Sequence, residues 1–470
     1  MDLIAVLAQS DPEALMPARW QMAVSLGSHI VLACFGVSFP VMIFVVHRRG
    51  LRDDPVALGL AQRWSKVSAV LFAVGAVSGT ILSFEMGLLW PELMRTYGDV
   101  IGLPFAFEGI AFFVEAVFIG IYLYGWNRLP GRIHLLMLVP IAVAGVVGTF
   151  CILSVNAWMN APTGFRLTAG EVTDVNPWAA MFNDAVWLMA LHMWVATFMV
   201  DGFCVAGVYA TGLLRGRDDR HHRLGFAVPF AFATVAALAQ PFIGHQAGAR
   251  LSVDQPSKLA AIELADRTEG PASLAIGGVL VDGERRYSLD VPRLGSMFGR
   301  SSLDAPITGF DDIPEEARPR DGLATMVHWS FQGMVAGGTA LMVLGIVYWV
   351  SRRRGGDLLD RRWFLRLAVL AGPVAVACLE LGWITTEVGR QPWIVYEVMR
   401  VDEAVTTSGG VWASLVVLVV VYTAMGAGAV LVLRSMARRW REGAPLDLPT
   451  PYGPPDPAVP SGARDGEGVG

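Results

Sequence analysis

"LAVLAGPVAVACLELGWITTEVGRQPW", residues 367–393, runs apolar for several helical turns and then places Glu380, Glu387 and Arg390 before Gln391, Pro392 and Trp393. About 20 apolar residues cross a hydrocarbon core of about 30 Å as a helix. An open strand cannot cross, because lipid offers its backbone no hydrogen-bond partner. The rest of the chain repeats the pattern. Of 470 residues, 54% are hydrophobic and 16% charged, whereas a water-soluble domain carries about 25% charged residues. Comparable apolar runs occupy 20–46, 65–90, 101–127, 133–155, 184–214, 224–244, 323–350, 364–386 and 409–434, so the chain reads as an all-α integral membrane protein of about nine transmembrane helices.

Arginine orients the spans. The connections after spans one, three, five, seven and nine carry clusters such as Arg48, Arg49 and Arg52, or Arg352, Arg353 and Arg354, and the alternate connections that are short hold few. The positive-inside rule then puts the N-terminus outside and the C-terminus in the cytoplasm. The N-terminal segment is acidic and lacks the basic start of a cleaved signal peptide. Cys34, Cys151, Cys204 and Cys378 lie singly inside spans, a pattern of neither disulfides nor zinc. Four regions follow: spans one to six within 1–244, an outer loop at 245–322, spans seven to nine within 323–440, and a Pro- and Gly-rich tail at 441–470 that reads as a disordered cytoplasmic end. A loop as long as 245–322 is functional or disordered.

Ionisable side chains inside a bilayer cost about 2.5–3.5 kcal/mol on insertion scales and mark functional sites. His29, Glu108, Glu115, His192, Glu380 and Glu387 all fall in spans, joined by the soft donor Met334, and Glu108–Glu115 and Glu380–Glu387 each share a helix face. These groups come from five spans, and every one falls in the outer half of the membrane, which fits buried cofactors. A His–Met pair such as His192 and Met334 suits a low-spin haem, while His29 and Glu387 are candidates for two high-spin centres. Arg390 would offset carboxylate or propionate charge. Taken singly, these residues serve equally as interhelical hydrogen bonds or as the proton path of a transporter.

The motifs "ARWQMAVSLGSHI" (18–30), "PFAFEGIAFFVEAVFIGIYLYGWNRL" (104–129), "KLAAIE" (258–263) and "LELGWITTEVGRQPW" (379–393) resemble subunit I of cytochrome bd-type quinol oxidases over about residues 15–440. The resemblance implies a quinol:oxygen oxidoreductase in the bacterial inner membrane. It implies low-spin haem b on His192 and Met334, and high-spin haem b and haem d (or a third haem b) on His29 and Glu387. It makes Glu108 and Glu115 stations for protons, Lys258 and Glu263 the quinol-linked pair of the outer loop, and Trp383 and Glu380 neighbours of the haems. Lysine occurs only at Lys66 and Lys258, so a loop lysine five residues before a glutamate stands out. The implied partners are subunit II, a small single-helix subunit, membrane quinol and oxygen, with no nucleic acid.

Two features resemble the short-loop, cyanide-insensitive branch: the loop lacks a long insertion, and Gln332 stands where many members have an arginine two residues before the methionine ligand. Losing that cation is expected to alter the potential of the low-spin haem. In the GRQPW motif, Gly389 is expected to admit a macrocycle closely and Pro392 to end the helix. A haem-bearing membrane anchor of a dehydrogenase and a proton-coupled transporter are the alternatives.

Overall fold

The computed structural model describes residues 12–444 and 446. Among them, nine helices are long and apolar enough to span a membrane: α1 (Leu15–Gly50), α2 (Pro55–Leu89), α3 (Pro91–Tyr124), α4 (Gly131–Asn160), α5 (Val186–Leu214), α6 (Arg220–Asp254), α7 (Asp321–Arg353), α8 (Arg362–Val388) and α9 (Val411–Arg441). Each expected span is present, and most run on past their apolar core. The starts of α2 and α3 and the end of α6 each lie ten residues beyond the apolar run; α6 continues to Asp254, so the outer loop begins at Gln255 rather than 245. Periodic apolar character marks the lipid-embedded core, whereas helix ends follow from capping groups in the interface. α2 illustrates this: the Asp54 carboxylate accepts from Ala57 N at 3.2 Å and Pro55 opens the first turn. The tail expected at 441–470 lies almost wholly outside the described residues.

The arginine-rich end is stapled by ion pairs. Asp54 accepts from Arg49 at 2.7 Å and from Arg220 at 2.6 Å, tying the α1–α2 turn to the start of α6. Arg223 reaches Asp357 and Asp360, both at 2.7 Å, and so ties α6 to the α7–α8 connection. Within the bundle α1 is central, touching α2, α4, α5 and α9, while α5 lies between α6 and α8, and α7 packs on α8 and α6. With lipid outside, helices associate through close van der Waals approach at small residues. Gly372 abuts Cys204 and Gly337 abuts Cys378 accordingly. Large apolar side chains, among them Phe113, Val416, Val420 and Leu431, face outward.

The outer loop is ordered. The short helix Pro256–Glu263 is followed by two antiparallel strand pairs, Leu274–Ile276 with Leu289–Val291 and Val279–Val281 with Glu284–Arg286, and by the helix Leu294–Arg300. Ala260, Ile262, Leu264, Leu280 and Phe310 build a small core with Ala324 and Val327 of α7. That core seats the loop on the bundle, which settles the choice between a structured and a disordered segment.

Candidate functional site

Several glycines show how the helices line up, because a neighbouring helix approaches them closely. A Cβ added at Gly27 would lie 3.1 Å from Glu380 Oε2, one at Gly382 would lie 3.0 Å from Met334 Sδ, and one at Gly372 would lie 3.0 Å from Cys204 Cα. On the scale of α8, Met334 is therefore level with residue 382, and His29, two residues inward of Gly27, is level with about 378. His192 lies outward of Cys204 by the same number of residues that separate Gly372 from 384, so it stands near Trp383–Thr385. With Glu387 itself, the four candidate ligands fall within about 14 Å along the bundle at 1.5 Å per residue. They occupy the half of α8 away from Arg362. The four candidate ligands thus share that half of the bundle, whereas Glu115, which abuts Gly36 nine residues inward of Gly27, lies nearer the middle than the sequence placed it.

His29 is anchored at one ring nitrogen. Its Nδ1 is 2.9 Å from Ser78 Oγ, which also lies 2.9 Å from Gly75 O. With the hydroxyl proton on Gly75 O, Nδ1–H is the donor to Ser78, and Nε2 is then unprotonated and able to bind iron. Gly79 makes room for the ring, since a Cβ there would lie 2.9 Å from His29 Cε1. His192 presents a buried Nδ1 with no partner, beside Gly244. Glu115 lies against Gly36 of α1, deeper than His29, and Glu108 is within electrostatic reach of Cys151 on α4. The two glutamates therefore step from the middle of the bundle toward the ligand level.

At the outer end a polar network joins α4, α8 and the loop helix. Glu387 accepts from Asn156 Nδ2 at 2.5 Å and from Arg390 Nη2 at 2.6 Å. Asn160 Nδ2 donates to Asn156 O at 2.7 Å, and Lys258 Nζ donates to Asn160 Oδ1 at 2.6 Å. Gln255 Nε2 donates to Asn160 O at 2.7 Å, and Arg19 Nη2 to Gln391 Oε1 at 2.6 Å. Lys258, Glu263 and Arg390 are only 3%, 4% and 4% exposed. Burial, reinforced by Arg390 and opposed by Glu387, lowers the Lys258 pKa to about 7. Burial raises that of Glu263 to about 7, with Arg285 opposing.

Two expectations for the GRQPW motif are corrected. Gly389 makes room for the Lys258 stem, because a Cβ there would lie 2.9 Å from Lys258 Cγ. α8 also ends at Val388, with Gly389 as its cap, before Pro392 is reached. Gln332 turns to the loop: its Oε1 accepts from Gly277 N at 3.0 Å and its Nε2 donates to Ala275 O at 2.6 Å. Its amide serves the loop backbone, so the first consequence of this residue is loop docking.

Asn156, Asn160, Gln255 and Ser78 were not singled out from the sequence, where attention went to ionisable and soft side chains. The signal was present in the i,i+4 spacing of Asn156 and Asn160 near the end of a span.

Comparison with known proteins identifies the family. The family described as cytochrome bd terminal oxidase subunit I matches residues 17–441. The chain belongs to that family. A putative cytochrome bd menaquinol oxidase subunit I of Bacillus subtilis (strain 168) is 33% identical, over 89% of this chain and 95% of its own length. The cytochrome bd-II ubiquinol oxidase subunit 1 of Escherichia coli (strain K12) is 25% identical, over 92% and 98% respectively. The solved bd oxidase of Geobacillus thermodenitrificans superposes with a TM-score of 0.86 at 36% identity, covering 91% of this chain and 99% of that one.

Membership of the bd oxidase family sets aside the transporter and dehydrogenase-anchor alternatives. It also implies haem, and the residues present fit that group. His29 engages Ser78 through Nδ1 and keeps Nε2 outside that contact, and Met334 presents a thioether beside a residue without a side chain. Arg390 keeps Nε and Nη1 without hydrogen-bond partners although buried, which suits a propionate.

Proposed function

We propose that the loop helix carrying Lys258 and Glu263 is the quinol-oxidising end of this subunit, and that His192 with Met334 would hold a low-spin haem b. His29 and Glu387 would hold the two high-spin haems, one of type b and the other of type d or again b. As a subunit I, the chain is the haem-bearing part of an oxidoreductase that takes electrons from membrane quinol and reduces oxygen. When bound, the haems relay those electrons and supply the place where oxygen is reduced.

The observation that carries the quinol assignment is the burial of Lys258 in a hydrogen-bonded line through Asn160 and Asn156 to Glu387. Lys258 and Glu263 titrate near neutrality in a dry site, so their basic forms can take the protons that quinol loses on oxidation. Arg390 donates to one oxygen of Glu387 and holds it in place, and Asn156 orients the other. Glu115 and Glu108 would pass protons from the arginine-rich side toward the ligand level. Protons released outside and consumed from inside separate charge, storing about 2.3 kcal/mol per charge at 100 mV. Trp383 and Glu380 flank the same level on α8.

The partners in this reading are subunit II and a small single-helix subunit, in the bacterial inner membrane. Lys258→Ala and Glu263→Ala are expected to lower quinol kcat/KM by about a hundredfold, with the haem bands retained. Wild-type quinol kinetics in both variants would remove the loop from the reaction.

A further inference from the structure

We infer that His328 is a positioning residue for quinol oxidation: through it α7, the helix that carries Met334, fixes the last turn of the helix Pro256–Glu263. The inference rests on reading Lys258 and Glu263 as the quinol pair. It names a residue that neither the family resemblance nor the ligand set requires.

A helix leaves its last carbonyls without intrahelical partners. At the end of Pro256–Glu263 the chain turns through Leu264 at φ 51°, and Leu264 N and Ala265 N return to Ala261 O and Ala260 O. The next carbonyl, Ile262 O, is taken by His328 Nδ1 at 2.7 Å. A carbonyl only accepts, so this bond requires the Nδ1–H form of the ring, which then caps the helix from outside the chain segment. His328 is 1% exposed, so water does not compete for this bond.

The other ring edge faces the strand segment of the loop, with Nε2 2.9 Å from Gly277 O and 3.1 Å from Gln332 Nε2. The same face of α7 holds that segment at several points. Asp321 Oδ2 accepts from Gly283 N and Thr325 Oγ1 from Leu280 N, both at 3.0 Å, and Trp329 Nε1 donates to Gly278 O at 3.0 Å. Positions 321, 325, 328, 329 and 332 recur at helical spacing, so α7 offers the loop one continuous polar stripe. Gly277 and Gly278 have φ of 67° and 102°, a backbone conformation that turns their carbonyls to this stripe and that side-chain-bearing residues resist.

Within the stripe, His328 reaches both the strand segment and the helix. Glu263 follows Ile262 directly, is 4% exposed, and has an Oε2 with no partner, so its aim depends on how that last turn is held. Lys258 is anchored separately at Asn160, one and a half turns away. Releasing Ile262 O should therefore disturb Glu263 more than Lys258, and quinol binding more than the haems.

The test is steady-state quinol oxidation by the whole oxidase complex carrying His328→Phe or His328→Asn, with a short-chain quinol as substrate and a reduced-minus-oxidised spectrum of each variant. Phenylalanine keeps a planar ring, somewhat larger, and removes both ring nitrogens. It is expected to raise the quinol KM about tenfold, with a smaller change in kcat and an unchanged low-spin haem band. The asparagine amide nitrogen overlays Nδ1 and should restore most of the affinity. If Phe blocks assembly, His328→Gln takes its place: its longer amide overlays Nε2, leaves Ile262 O unmet and should show the same KM rise. Wild-type KM in the Phe or Gln variant, failure of Asn to rescue, or loss of the low-spin band overturns the inference. Lys258→Ala and Glu263→Ala measured alongside separate the two claims. If they impair quinol oxidation and His328→Phe does not, only the positioning role fails; if none has an effect, the loop assignment fails with it.

Discussion

Lys258 and Glu263 meet the same environment with opposite consequences. Burial disfavours the charged form of each, so the ammonium gives up its proton more readily and the carboxyl holds its own longer, and both arrive at about 7. Below about 7 the lysine is charged and the glutamate neutral, and neither form accepts a proton. Above it, the lysine is neutral and the glutamate ionised, and both can accept. Quinol kcat/KM is therefore expected to rise between about pH 6 and pH 8, with a flatter profile in Lys258→Met and Glu263→Gln. A wild-type profile unaltered by both substitutions would contradict this. At this scale the sequence reading found the charged and soft side chains, because an ionisable group in an apolar run is conspicuous. Asn156 and Asn160 passed unnoticed because an amide is cheaper to bury, and only the fold shows what it orients.

The helices themselves were legible element by element, since each needs its own apolar length to cross lipid. Their contacts were not, because the residues that set them are glycines with no chemistry to advertise. Gly337 is one: a Cβ there would stand 2.5 Å from Cys378 Sγ, whereas a Cβ at Gly338 meets nothing within 4 Å. Gly337→Val is expected to cost about 1–3 kcal/mol and to wedge α7 from α8 one turn from Met334, weakening the low-spin haem band. Gly338→Val, one residue on, should leave that band as in wild type. Equal effects from both would show that the α7–α8 seam does not set the position of Met334. The α6 boundary failed for a related reason: the last turns of that helix, ending at Asp254, are polar and receive no signal from hydropathy.

For the whole molecule, the number of spans was readable from where apolar residues fall. The ordered state of the outer loop was not, because its core is shared with Ala324 and Val327 of α7, residues distant in sequence from the loop helix. Its docking matters to function in the proposed reading, since one helix then bears the loop on one face and Met334 on another. The same long-range arrangement brings α1, α5, α7 and α8 to a common level, and no local window of sequence contains that fact. What the account needs is that side chains from separate helices grip haem there. The most direct measurement is a reduced-minus-oxidised spectrum, with and without carbon monoxide, of the membrane complex carrying His192→Ala. The account predicts loss of the low-spin haem b band with the protein still inserted and a carbon monoxide-reactive haem still present. Retention of the low-spin band would contradict it.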